Sequence, residues 1–249
     1  MKKYLLAIVL MLPLTPGFAQ FRYGPELAGA YNKMTDNKNV WGATSITSST
    51  FGGRFGIIGD YGITEHVYVQ PGVFYTIRSN KETANTSLTI NVPVSTFNVA
   101  ANGSVNMAQK SKFSYIEVPV YLTYKWGQPG SGRFFIGIAP YVAYGIGGKQ
   151  TVTQDIGLSA ALVLNYDSSL RDTKSNTFAN DSFGYKNMDY GFKICEGYEF
   201  SGGFYFRAEF GLGLSNLSNY PGAKSHNMGV DLAIGYLFGD RRKRVQAIE

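Results

Sequence analysis

"SHNMGVDLAIGYLF", residues 225–238, is the stretch whose reading decides the fold. From His226 onward every second residue is His or apolar: Met228, Val230, Leu232, Ile234, Tyr236, Phe238. The other row is small or polar: Asn227, Gly229, Asp231, Ala233, Gly235. A two-residue period places alternate side chains on opposite faces of a strand. One face is therefore bulky and apolar, while the other carries glycines and a carboxylate. A soluble sandwich and a barrel in lipid both permit this.

The period recurs upstream in "RYGPELAGAY" (22–31), "GGRFGIIGDYG" (52–62), "VYVQPGVFYTIR" (67–78), "YIEVPVYLTYKW" (115–126), "RFFIGIAPYVAY" (133–144), "NMDYGFKICEGYEF" (187–200) and "FYFRAEFGLGL" (204–214). With the closing stretch this makes eight strands. Short links at 63–66, 127–132 and 201–203 alternate with long ones near 32–50, 79–112, 146–186 and 215–224. Short turns at one rim and long loops at the other are the pattern of an outer-membrane barrel, and an even strand count places both termini in the periplasm.

The N-terminus agrees with export. "MKK", then "YLLAIVLMLPL", then small residues around Gly17 and Ala19 read as a signal peptide over 1–19, cleaved before Gln20. No later stretch approaches the ~18 apolar residues of a spanning helix, and the mean hydropathy is −0.11. The expected organisation is a leader (1–19), a barrel (20–239) and a basic periplasmic tail (240–249).

Composition points the same way: 249 residues with 30 Gly, 18 Tyr and 17 Phe suit one all-β domain. Removing Lys2 and Lys3 lowers the formal charge from +6 to +4, and "RRKR" (241–244) concentrates much of the remainder in the tail. That run reads as solvated charge, and no nucleic-acid surface is expected. Cys195 stands alone and reads as an inward packing residue.

Cost decides which row meets lipid. The glycine-rich rows hold Glu26, Arg54, Asp60, Arg78, Glu117, Lys125, Lys193, Glu199, Arg207, Glu209 and Asp231. A lipid-facing Arg or Lys at midplane costs about 2–4 kcal/mol, so these rows face the lumen. Eight strands enclose a space that side chains fill, and the expectation is a charge network rather than an open pore. Tyr23, Tyr61, Tyr124, Trp126, Tyr144, Tyr198 and Tyr236 suit aromatic girdles at the strand ends. Glu196 interrupts the apolar row of the sixth strand, where a bulge would shift the register. A soluble barrel with the rows reversed is the alternative, but its water-facing surface would be largely Gly and Ala.

On "YIEVPVYLTYKW", "IGIAPYVAYGIGGK", "DYGFKICEGYEF" and "NMGVDLAIGYLF" the chain resembles the outer-membrane β-barrel domain family that includes PorT-like proteins. The resemblance implies an eight-stranded up-and-down barrel and names no activity beyond a secretion-accessory role. It departs in the tail: such chains commonly stop at the terminal aromatic, here Phe238, whereas this one continues "GDRRKRVQAIE".

Chemistry is sparse. His66 and His226 fall at opposite rims, so no metal or cofactor is expected. His226 beside Ser225 and near Ser215 would be the dyad of a lipid hydrolase, but a His-x-Ser pair on one face is missing because residue 228 is Met. "GIGGK" (145–149) lacks the upstream Gly of a phosphate loop. The functional expectation falls on the long loops. In 86–107 the alternation Leu88, Ile90, Val92 runs on past Phe97 to Asn102-Gly103, a hairpin signal, so strands should continue above the membrane, with 155–167 packed on or paired to them. The expected role is a structural or interaction (adhesion or secretion-accessory) protein of the outer membrane, monomeric, contacting lipid and a protein partner through extracellular loops. A lipid-modifying enzyme and a small pore are the alternatives.

Overall fold

The computed structural model describes residues 21–36, 39–40, 43–94, 97–128, 131–160, 164–178, 184–219 and 221–239. The expected leader and basic tail lie outside these residues. The strands are β1 (Phe21–Asp36), β2 (Asn39–Val40), β3 (Ala43–Ser48), β4 (Thr50–Gly62), β5 (Val67–Val94), β6 (Phe97–Trp126), β7 (Arg133–Ala160), β8 (Leu164–Asn176), β9 (Met188–Glu199), β10 (Phe204–Gly213) and β11 (Ser225–Tyr236).

Eight of these close a ring. β1 pairs with β4, and the ladder continues β4–β5, β5–β6, β6–β7, β7–β9, β9–β10 and β10–β11, returning through β11 to β1, all antiparallel. Phe238 finishes the closure by exchanging backbone hydrogen bonds with Tyr23 at 2.7 and 3.1 Å. The result is an up-and-down, eight-stranded antiparallel transmembrane β-barrel. Closure leaves no unpaired edge in the part that lipid surrounds. Gly203 in the 201–203 turn (φ 89°) and Gly127 (φ 105°) adopt left-handed backbone that favours glycine and lets the short links reverse.

The outward row is apolar and open: Leu232 is 67% exposed, Ile194 57% and Ile138 56%, while the inward charges Asp60 and Glu117 are 0% exposed. A contiguous apolar surface of this extent around a charged interior is stable only with acyl chains outside. At the short-turn rim the rings of Phe21, Tyr23, Phe238 and Tyr236 are in contact, as are Tyr124, Trp126 and Phe134, and Tyr198, Phe200, Phe204 and Phe206.

Crossing a membrane takes ~9–11 strand residues, close to the 12 of β9 and the 10 of β10. β5, β6 and β7 have 28, 30 and 28 residues. Their surplus rises beyond the long-loop rim as a sheet, with β3 on β5 at Lys81–Ala84 and β8 on β7. Asp155–Ala160 of β7 pairs with β6, and the chain then returns as β8.

Two expectations are corrected. The hairpin does not turn at Asn102-Gly103: those residues sit inside β6 opposite Thr89 and Leu88, and the chain reverses between Val94 and Phe97. Partner numbers sum to 191 from Val67↔Tyr124 to Val94↔Phe97, so the pairing set inside the barrel dictates the apex. Turning at 102–103 would slide the barrel strands out of register. Nor does Glu196 mark a bulge. β9 pairs without interruption on both sides, with Glu196 exposed between Ile136 and Ala208. Register shifts occur instead near Ser114/Tyr115 and Val152/Gln154, at the base of the projecting sheet.

Candidate functional site

Alternation brings charged side chains from all eight barrel strands into the lumen. The cations are Arg22, Arg54, Arg78, Lys125, Arg133, Lys193 and Arg207; the anions are Glu26, Asp60, Glu117, Asp189, Glu199, Glu209 and Asp231. In the membrane-spanning part seven face seven, none more than 8% exposed, and an eighth anion, Glu82, is buried higher on β5. Buried charges are tolerated only when paired and hydrogen-bonded, and equal numbers make that achievable.

The pairs form three tiers. At the short-turn rim Arg22 contacts both Asp60 and Glu199, the latter at 2.5 Å; Lys125 lies 2.8 Å from Asp60 and 2.9 Å from Glu199, and Arg133 3.1 Å from Glu199. Gln70 links upward, donating to Asp60 at 2.7 Å and accepting from Arg207 at 2.8 Å. In the middle tier Arg54 lies 2.7 Å from Glu26 and also pairs with Glu209, while Lys193 is 2.5 Å from Glu117 and 3.0 Å from Glu209. Asp231 is within 3.5 Å of Arg54 and 3.7 Å of Lys193. Tyr205 and Tyr121 donate to Glu26 and Glu209 at 2.6 and 2.8 Å. In the top tier Arg78 lies 2.6 Å from Glu117 and 2.7 Å from Asp189, and Asp189 also accepts from Ser215 at 2.5 Å and Asn227 at 2.9 Å.

The glycines of these rows make the room. A Cβ on Gly235 would lie 2.4 Å from the Tyr205 ring directly across the strand pair. The ring needs that space to reach Glu26.

Above the top tier an aromatic cluster fills the mouth. Met34, Phe113, Tyr115, Tyr141, Ala143, Tyr185 and Leu217 are buried together, with Phe178 packed against them. Tyr185 and Leu217 come from the connections after β8 and β10, whose backbones meet at Tyr185↔Ser218.

All eleven charges named from the sequence lie inside, each in an ion pair, that of Arg207 being with Glu26 at 3.2 Å. Arg22, Arg133 and Asp189 belong with them and were missed. Each lies on the inward parity near the start of a stretch that already reads as a strand (22–31, 133–144 and 187–200), so following the inward row to the end of each stretch finds them. Of the loop candidates, Leu88, Ile90, Val92, Phe97, Asn102 and Gly103 have described backbones in β5 and β6. Their side chains lie outside the described residues.

The hydrolase dyad does not assemble: Ser215 donates to Asp189, while Ser225 Oγ and His226 Nδ1 have no hydrogen-bond partner among the described residues. His66 Nδ1 is 3.0 Å from the Lys125 carbonyl at the opposite rim. Among the described residues no His, Cys, Asp or Glu group is placed to hold a metal. Cys195 is buried on the inward row.

A closed, charge-lined barrel with an apolar exterior defines an integral outer-membrane β-barrel protein. The chain belongs to the outer membrane protein beta-barrel domain family, whose model matches residues 18–219. It is similar in structure to Ail of Yersinia pestis solved with the heparin analogue sucrose octasulfate (12% identity, 88% of this chain and 99% of that one, TM-score 0.38). It is similar also to Neisserial surface protein A (11%, 87% and 97%, TM-score 0.34) and to OprG of Pseudomonas aeruginosa (8%, 89% and 97%, TM-score 0.33). A comparison with curated proteins gives no match.

Proposed function

We propose that the barrel is an anchor and that the projecting sheet is the working part: a structural or interaction protein, in adhesion or as a secretion accessory, rather than a pore or a lipid-modifying enzyme. In this reading the short turns and both chain ends are periplasmic, the sheet stands outside the cell, and the protein acts as a monomer without a cofactor. The observation that carries it is the contrast between a lumen crowded with paired charges and strands at least ~55 Å longer than a crossing requires.

The sheet offers edges for a partner. Among the described residues β5 above Ala84 pairs only with β6, and β8 pairs only with β7. Such an edge accepts an extended segment through backbone hydrogen bonds. By register Leu88, Ile90 and Val92 share a face with Gly103, Ala101 and Val99, which gives that edge an apolar side.

The test exploits the register. Thr83 and Ala108 are partners, so replacing 83–108 by Asn-Gly joins Glu82 to Gln109 in the existing pairing. The trimmed chain should insert, keep its heat-dependent gel mobility and lose partner attachment. Retained attachment, or steady single-channel conductance of the full chain in planar bilayers, would overturn the reading.

A further inference from the structure

Four lysines crowd one outward patch at the base of the projecting sheet. Pairing sets Lys81 directly opposite Lys110, and Lys112 directly opposite Lys149. All four are exposed, and no ion pair holds their ammonium groups among the described residues. Directly opposed Cβ atoms lie ~5 Å apart and next-but-one residues of a strand ~7 Å apart, so the four stems rise from an area ~10 Å across. Like charges directly opposite each other destabilise a strand pair. Two such pairs side by side need an anion to offset them.

The height of the patch says which anion. Tyr75, Ile116 and Tyr144 form one cross-strand row, and Ser79, Lys112 and Lys149 form a row four residues higher on β5 and β6 and five on β7, where the register shifts. For strands tilted by ~40°, Lys112 and Lys149 are ~10 Å above the ring-bearing row, and Lys81 and Lys110, two residues further along, ~15 Å. The headgroup layer adds ~5–8 Å to each side of the hydrocarbon core, so Lys112 and Lys149 stand at its upper boundary and the long stems of Lys81 and Lys110 reach down toward it. Lysine binds phosphate as a point charge with three donors. A zwitterionic headgroup would bring its own ammonium against the patch, whereas a phosphate without one fits it.

We infer that Lys81, Lys110, Lys112 and Lys149 bind the phosphates of an anionic lipid in the leaflet at the long-loop rim. Which leaflet of the cell that is rests on the orientation proposed above; the binding itself does not.

The experiment titrates lipid into the full chain in dodecyl maltoside micelles and reads binding by native mass spectrometry. The probes are diphosphorylated lipid A, the same lipid dephosphorylated, phosphatidylglycerol and phosphatidylcholine. The diphosphorylated lipid should bind and the dephosphorylated lipid and phosphatidylcholine should not. Phosphatidylglycerol binding in addition would mark the site as a general lipid-phosphate site, and its failure to bind would restrict the site to phosphate monoesters. Changing all four lysines to Gln should weaken binding on the order of 500-fold, at ~5-fold per lysine. Changing them to Arg should preserve it, and Lys33→Gln with Lys186→Gln and Lys224→Gln should leave it unaltered. A second readout guards against misfolding: Lys112→Gln alone should raise the unfolding midpoint without lipid and lower it relative to wild type with diphosphorylated lipid. Equal binding by the Gln variant, equal binding of the dephosphorylated lipid, or no reversal of that midpoint difference would overturn the inference.

Discussion

Arg54 Nη2 lies 2.7 Å from Glu26 Oε1, and neither side chain reaches solvent. The same guanidinium also pairs with Glu209 and stands 4.7 Å over the Phe74 ring, so one residue ties β1, β5 and β10 to β4. Arg54→Leu strands two carboxylates in the lumen. Breaking a buried pair from one side costs about 3–5 kcal/mol, to be read as a lower urea midpoint for loss of folded gel mobility. Adding Glu209→Gln should recover part of that loss, because the two sites are in contact and their effects are non-additive.

Gly235 and Tyr205 test whether the inward glycines are there for space. In Gly235→Ala the new methyl meets the Tyr205 ring at 2.4 Å, and the hydroxyl is pulled from Glu26. A loss of about 1–3 kcal/mol is expected. Gly29→Ala, where nothing lies within 4 Å of the added atom, should change stability little. Equal effects would remove the packing argument.

The lipid face has its own test at Leu232, 67% exposed beside the inward Asp231. Leu232→Arg should destabilise the barrel folded into liposomes by about 2–4 kcal/mol. In a water-soluble barrel the same change would be nearly neutral, so the sign of the assignment rests on one equilibrium measurement.

The eight barrel strands were legible because lipid on one side and a packed lumen on the other enforce a strict two-residue period on each. That constraint ends at the membrane boundary. β3 ("ATSITS") and β8 ("LNYDSSLRDTKSN") have no lipid-facing row to advertise, and the sequence reading left both inside loops. Asn102-Gly103 shows the opposite failure: a strong local turn signal is overruled by pairing inherited from β5 and β6 below it. Arg22, Arg133 and Asp189 lie among the first residues of their stretches, where a charged side chain reads equally well as the solvated end of a strand and only the pairing across the lumen tells it apart. Glu196 was visible from the start as a break in an apolar row, and the structure keeps it on that row.

The inherited pairing carries a further prediction. A short epitope inserted between Val94 and Phe97 should leave the barrel folded and be bound by antibody on intact cells. The same epitope between Asn102 and Gly103 would interrupt β6 and lower the yield of folded protein. Equal tolerance at both sites would contradict the register.

The most direct test of the central claim, a closed barrel integral to the outer membrane, is heat-modifiability of the separated outer-membrane fraction. An unboiled sample should run as a faster, compact band that boiling converts to the position of the unfolded chain, which lies below the 27.3 kDa of all 249 residues once the leader is removed. A protein recovered in the soluble periplasmic fraction, with one mobility whether boiled or not, would contradict the account and reverse which row faces water.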